Sequence, residues 1–279
     1  MDAKQLPARP DLDQYKNQAK DLLKAWKAGD VDVLQRVRQF HPRLNKLSRD
    51  EFLGADFVLA DAQLVLAREH GFESWPKFAD HVAAVRSRLS PVSSFESAAD
   101  AIVAGDLETL SALLHDHPDL VRARSTRQHQ ATLLHYVSAN GVEDYRQKTP
   151  KNIVAIATLL LDAGAEVDAT GEMYGGGSTT LGLTATSIHP FRAGFLAPLI
   201  DLLIARGAVL DTPGSIVRAC LGNDRPDAAV LMADRGARLD LETAAGVGRL
   251  DVVSNYFDDR GRLTSGATQQ QLDHGFIWA

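Results

Sequence analysis

Between Thr132 and Asp211 the hydrophobic positions repeat as a unit: a short apolar opening, an interruption, and a longer apolar run that closes on a Gly-Ala pair. The first copy reads TLLHYVSANG and then IVAIATLLLDAGAEVD; the second reads TTLGLTATS and then LIDLLIARGAVLD. Gly164, Gly207 and Gly236 each end an apolar run and precede Ala165, Ala208 and Ala237, which is where a left-handed residue is expected just past a helix. They stand 43 and 29 residues apart, bracketing a repeat of roughly 33 residues with insertions and trimming. A hairpin this short cannot bury its own apolar face, so neighbours must stack on it and the fold must grow in one dimension.

Upstream, the pattern predicts helices over about 12–28, 30–40, 56–70 and 75–88. In the first of them Ala19, Leu22, Leu23 and Trp26 form an apolar stripe, and Lys16, Lys20, Lys24 and Lys27 lie on a solvated face beside it. Ser48-Arg49-Asp50-Glu51 fits a capping box, and Ser74 before Trp75-Pro76 fits a helix start. The same hairpin is written twice: Ala-Gly-Asp at 28–30, Leu34 and His-Pro at 41–42 return as Ala-Gly-Asp at 104–106, Leu110 and His-Pro at 117–118. The stretch LSPVSS, 89–94, reads as the seam between this region and the repeats downstream.

At the openings of the repeats the chain resembles ankyrin repeats. The family's Thr-Pro-Leu-His signature is matched by Thr132-Leu133-Leu134-His135, by Thr179-Thr180-Leu181-Gly182, and in a worn form by Ser215-Ile216-Val217-Arg218. The segment ADAQLVLAREHGFESWPKF, 60–78, resembles a helical module found ahead of ankyrin arrays in bacterial proteins. The resemblance implies an all-α fold, an ankyrin-repeat helical solenoid over 93–279 with about five repeats and the last unfinished, preceded by an N-terminal helical module over 1–92. It also implies that His135 is structural, a hydrogen-bonding group that links neighbouring repeat loops. The family's partner-reading positions are hairpin tips and the exposed end of each first helix. Carried onto this chain they are Gln128, His129, Ala131, Ala139 and Asn140, then Gly175, Gly176, Ser178, Thr186 and Ser187, then Gly222 and Asn223.

Composition narrows the chemistry. A net charge of −6 and a pI near 5.8 argue against a nucleic-acid or acidic-membrane binder, because phosphate contacts need concentrated Lys and Arg. No apolar stretch approaches the length of a membrane span and the first residues carry no signal-peptide core, so a cytoplasmic protein is expected. The single cysteine, Cys220, excludes an internal disulfide and reads as a small packed thiol. His115-Asp116-His117 invites a metal, but residues two apart do not share a helix face, so it reads as helix termination. The loop GEMYGGGS, 171–178, lacks the lysine of a phosphate-binding loop and reads as a hairpin finger. No metal or cofactor is expected.

Two insertions, VEDYRQKTPKN at 142–152 and IHPFRAGFLAP at 188–198, fall at corresponding places in their repeats and should project from one side. Tyr145, Arg146, Lys148, His189 and Arg192 are therefore candidates for a shared basic and aromatic outcrop, and Met173 and Tyr174 at a finger tip for a binding anchor. The expected function is a non-catalytic protein-protein interaction scaffold with another cytoplasmic protein as partner. A second reading is an enzyme or small-ligand receptor whose cleft, within 129–192, is lined by His129, Tyr145, Tyr174 and His189. A third is self-association through an uncapped C-terminal end that presents Phe276, Ile277 and Trp278.

Overall fold

The computed structural model describes residues 3–87, 90–210 and 215–279, and among them the secondary structure is almost wholly helical. The first region contains α1 (Leu12–Lys27), α2 (Val31–Phe40), α3 (Arg49–Leu53), α4 (Leu59–Glu69) and α5 (Trp75–Arg86). Four of these are the helices expected there, and α3 is the short turn after Ser48. At Ser48 the capping box is complete, with the Glu51 N–H donating to Ser48 Oγ and the Ser48 N–H to the Glu51 carboxylate. The α1 stripe is buried as its spacing requires: Ala19 and Leu22 join Val33, Val37 and Leu66 in one apolar cluster. A second cluster holds Tyr15, Phe72, Phe78 and Val82, with Tyr15 set edge-on to Phe78.

The remainder contains α6 (Pro91–Ala104), α7 (Leu107–Asp116), α8 (Ile153–Asp162), α9 (Thr180–Thr186), α10 (Ile188–Arg192), α11 (Leu196–Ala205), α12 (Ile216–Gly222), α13 (Pro226–Asp234), α14 (Leu241–Gly246), α15 (Leu250–Val253) and α16 (Gln269–Trp278). Packing is serial. α6 lies against the 3-10 segment Leu133–Ser138, that segment against α9, α9 against α12, α12 against α14, and α14 against α16; behind them α7 touches α8 and α8 touches α11. One apolar core, from Phe95 to Ala237, runs through these layers.

The stops work as the sequence requires. Gly164, Gly207 and Gly236 have φ of +97°, +92° and +92°. The next N–H groups, those of Ala165, Ala208 and Ala237, donate to Leu160, Leu203 and Met232 carbonyls at 3.0 Å, the same six-to-one closure three times over. The doubled Ala-Gly-Asp is equally regular. Gly29 and Gly105 are both left-handed, and the carboxylates of Asp30 and Asp106 cap the starts of α2 and α7. α7 ends at Asp116 with His117 as its cap, so the His-Asp-His run does terminate a helix.

Three expectations change. Ser90 caps α6, whose first residue is Pro91, so the stretch read as a seam is a helix start from Ser90 onward; Leu89 lies outside the described residues, as does Asp211. The opening at Leu133–Ser138 is a 3-10 helix, held by a capping box between Thr132 and His135. The insertion at 188–198 is mostly helical, because Ser187 caps α10 and α11 already begins at Leu196. Among the described residues no helix is long and apolar enough to cross a membrane. On α16, Gly275 lies close to Ala245, Phe276 and Ile277 are exposed, and Trp278 is half-buried.

Candidate functional site

A groove of about 840 Å³ opens on the face made by the hairpin finger and the first helices of successive layers. Its floor comes from α9 and α12, through Gly182, Leu183 and Thr186, then Ser215, Ile216, Ala219 and Asn223. Gly182 and Thr186 are four residues apart, as are Ser215, Ala219 and Asn223, so each set occupies one helix face. The wall is the finger: β1 (Thr170–Gly171) pairs antiparallel with β2 (Ser178–Thr179), with Thr170 opposite Thr179 and Gly171 opposite Ser178. None of the described residues lining the groove is Asp, Glu, Lys, Arg or His.

Tyr174 at the finger tip is 75% exposed and sits in the left-handed region at φ +52°, ψ +30°. Its hydroxyl donates to Asn140 Oδ1 at 2.6 Å. The Asn140 amide in turn donates to the Leu183 carbonyl at 3.0 Å and lies 3.1 Å from Thr186 Oγ1, so one side chain ties finger to floor. Of the five described non-glycine residues with positive φ, Tyr174 and Ser215 line the groove, and Ala139 and Asp224 adjoin its Asn140 and Asn223. Backbone strain of this kind persists only where the surroundings hold it. Beneath the finger Met173 is buried; a Cβ on Gly171 would lie 2.6 Å from its Sδ, and one on Gly141 2.7 Å from its Cγ. Gly141, at φ +74°, therefore needs glycine, and a Cβ at Gly171 would force the end of the Met173 side chain to move.

His135 joins this finger to the preceding loop. Its Nδ1 accepts the Thr132 N–H at 3.1 Å, which leaves Nε2 to donate to the Ser178 carbonyl at 3.1 Å. Burial pushes the imidazole down to about 4, so it is neutral at pH 7 and serves as the cross-link expected of it. Cys220 is likewise packed and inert, its thiol pushed up to about 12 by burial.

Behind the finger lies a largely buried cluster of charge. Arg127 bonds to Glu96 and lies 2.8 Å from Glu143. Arg146 reaches Glu96 at 2.9 Å, Glu143 at 3.1 Å and Asp100 at 2.7 Å, with its guanidinium over the Tyr136 and Tyr145 rings. Burial pushes the Glu143 carboxyl up, but Arg127, His129 and Arg146 outweigh it and hold it well below the usual carboxylate range. Glu96 is lowered in the same way, Arg127 and Arg146 outweighing burial. The cluster is wired to the finger through His129, whose ring accepts the Ala131 N–H and whose carbonyl accepts the Glu172 N–H at 2.8 Å.

Of the residues singled out from the sequence, Asn140, Tyr174, Gly176, Ser178, Thr186 and Asn223 meet in the groove. His129 and Arg146 are buried in the charge cluster, Arg146 being 3% exposed, and Tyr145 is half-buried beside it. That removes the shared outcrop: Arg146 is held inside by three carboxylates, leaving Lys148 and Arg192 exposed and His189 half-buried, with its imidazole lowered by burial and by Arg192. Met173 is an anchor for the finger itself, since its side chain fills the space over Gly141 and Gly171. Gln128 is exposed and lines a different cavity, about 380 Å³, where α5 meets the 125–130 loop. Sequence reasoning missed Thr170, Gly182, Val209, Ser215 and Ala219; the four-residue spacing on α9 and α12 was the available signal. The fold and groove define the class, a helical protein built of serially packed hairpins with an open cleft along one face. No family model matches the chain, and no curated protein is similar enough in sequence to count as a match.

Proposed function

We propose that the chain is a non-catalytic scaffold of the ankyrin-repeat type, with residues 1–92 as a helical module and 93–279 as the array, and that it binds another cytoplasmic protein in the groove. The observation that carries this reading is the groove itself, about 840 Å³ in volume, with no charged residue among its described lining, walled by the finger and floored by two successive first helices. Three further features support the array: the thrice-repeated glycine closure, the serial packing, and His135 of the Thr-Leu-Leu-His segment bonding into the next finger. Catalysis in the 129–192 cleft lacks support. Acid–base work needs a histidine, carboxylate or amine within hydrogen-bond reach of a substrate, and none lines the groove among the described residues.

Ala219 is exposed on the floor, so Ala219→Trp fills the groove without touching the core. Affinity capture from the cells that make the protein should recover a partner with the native chain and lose it with this variant, at a melting temperature changed by no more than a few degrees. Equal recovery by both would refute the groove as the binding surface.

A further inference from the structure

Building on the scaffold reading, we propose that the occupant of the groove is an extended, uncharged segment of the partner carrying one bulky apolar side chain, gripped between Tyr174 and Val209. Charge selects first. A charged side chain entering a groove whose described lining holds no counter-charge would lose hydration with nothing to replace it. Of the charged groups on the fingers, the Asp168 carboxylate accepts the Val209 N–H at 3.1 and 3.2 Å and Arg124 donates to the Thr170 and Gln130 carbonyls, while the exposed Glu172 carboxylate stands beside Gly176, outside the described lining.

The rim selects next. Tyr174 is 75% and Val209 52% exposed, and both line the groove. Each is fixed before anything binds, Tyr174 through Asn140 and Val209 through Asp168, so little ordering entropy remains to be lost. The Tyr174 hydroxyl donates to Asn140 and keeps its lone pairs as acceptors for a backbone N–H of the segment. On the floor, Gly182 and Ala219 let a backbone approach closely, which favours an extended chain over a helix about 10 Å across. The two first helices of the floor stand about 8–10 Å apart, a span of about three residues at ~3.3 Å each.

The test is panning of short random peptides on the immobilised full-length chain. Enriched peptides should share an uncharged run with one bulky apolar position, and their binding should stay flat up to about 0.5 M salt. Tyr174→Gly should weaken them about tenfold, Tyr174→Phe less, and Ala219→Trp should abolish binding. Enrichment of charged runs, steep salt dependence, or indifference to Tyr174→Gly would overturn the proposal. If no peptide is enriched while the whole partner is still lost on Ala219→Trp, the linear segment is wrong and the scaffold reading stands. If Ala219→Trp retains the partner, both fall.

Discussion

Glu96, Arg127, Glu143 and Arg146 are buried, whereas the groove beside the same finger is open and has no charged residue in its described lining. Surfaces normally carry the charge and interiors the neutral groups; here the two are exchanged. In the interior, the ion pairs of Arg146 with Glu96 and Asp100 tie residues 142–147 to α6, beside Val142, which shares the apolar core with that helix. In the groove, hydrogen bonds between neutral groups hold strained backbone at fixed positions. The contrast teaches that charge in this region serves position, while the described lining of the groove offers shape and neutral polar groups.

Removing one charge from the interior should have the largest effect. Glu143→Gln keeps the side chain's volume but leaves Arg127 and Arg146 facing Glu96, with only the exposed Asp100 to help. A buried charge left without its partner costs about 3–5 kcal/mol, which urea unfolding will read directly. The matching change in an exposed pair, Asp162→Asn opposite Arg206, should cost less than about 1 kcal/mol. Similar losses at both sites would show that the cluster is solvated and would erase the contrast. Acid should find the cluster too. Because the folded carboxyls of Glu96 and Glu143 are lower than the ordinary value of 4.5, their contribution is complete above that pH and is lost as pH falls below it. Glu143→Gln should flatten that loss.

His135→Ala comes next, because it acts on the link between finger and preceding loop. It strips partners from the buried Thr132 N–H and from the Ser178 carbonyl, at a cost of about 1–3 kcal/mol. The native histidine also sets a pH window distinct from that of the carboxylates. The unfolded chain takes up its proton near 6.5 and the folded one only near 4, so stability falls as pH drops through that interval, by up to about 1.4 kcal/mol per unit. His81 adds to the same window, pushed down to about 4 by burial and then by Arg127. Removing His135 should make the curve shallower between pH 6.5 and 4 and leave the steeper fall below 4.5 in place.

The legible part of the molecule was the part written in local chemistry. Gly164, Gly207 and Gly236 announce helix ends because a left-handed residue with no Cβ is needed there, and Ser48 with Glu51 announces a start because both partners lie within one turn. Ser90-Pro91 announced a start as well, but its small polar neighbours suggested a linker. The sequence could not reveal that Arg146 is buried, since its partners Glu96 and Asp100 stand some fifty residues earlier and a run such as YRQK reads as solvated. Glu96 did carry a signal: it lies one helical turn from Ala99, on the buried side of α6. The groove was half visible. Its finger residues stand out by their glycines, whereas Ala219 and Val209 acquire meaning only when separate hairpins come together.

The smallest expected effect on stability is at Tyr174, where the contrast between the two regions is most exposed to disproof. A tyrosine at φ +52° carries about 1–2 kcal/mol of strain that glycine would relieve. Against this, Tyr174→Gly loses one largely exposed hydrogen bond to Asn140, worth about 0.5–1.5 kcal/mol, and adds about 0.5–1 kcal/mol of unfolded-chain entropy. The opposing contributions should cancel to within about 1 kcal/mol. Tyr174→Phe keeps the strain and loses only the bond, so it should fall below the native chain by about 0.5–1 kcal/mol. A poised tip predicts that ordering, with binding lost in the glycine variant and stability nearly unchanged. If Tyr174→Gly instead lowers stability by more than about 2 kcal/mol, the ring supports the finger's own fold, and the groove wall is as structural as the buried ions behind it.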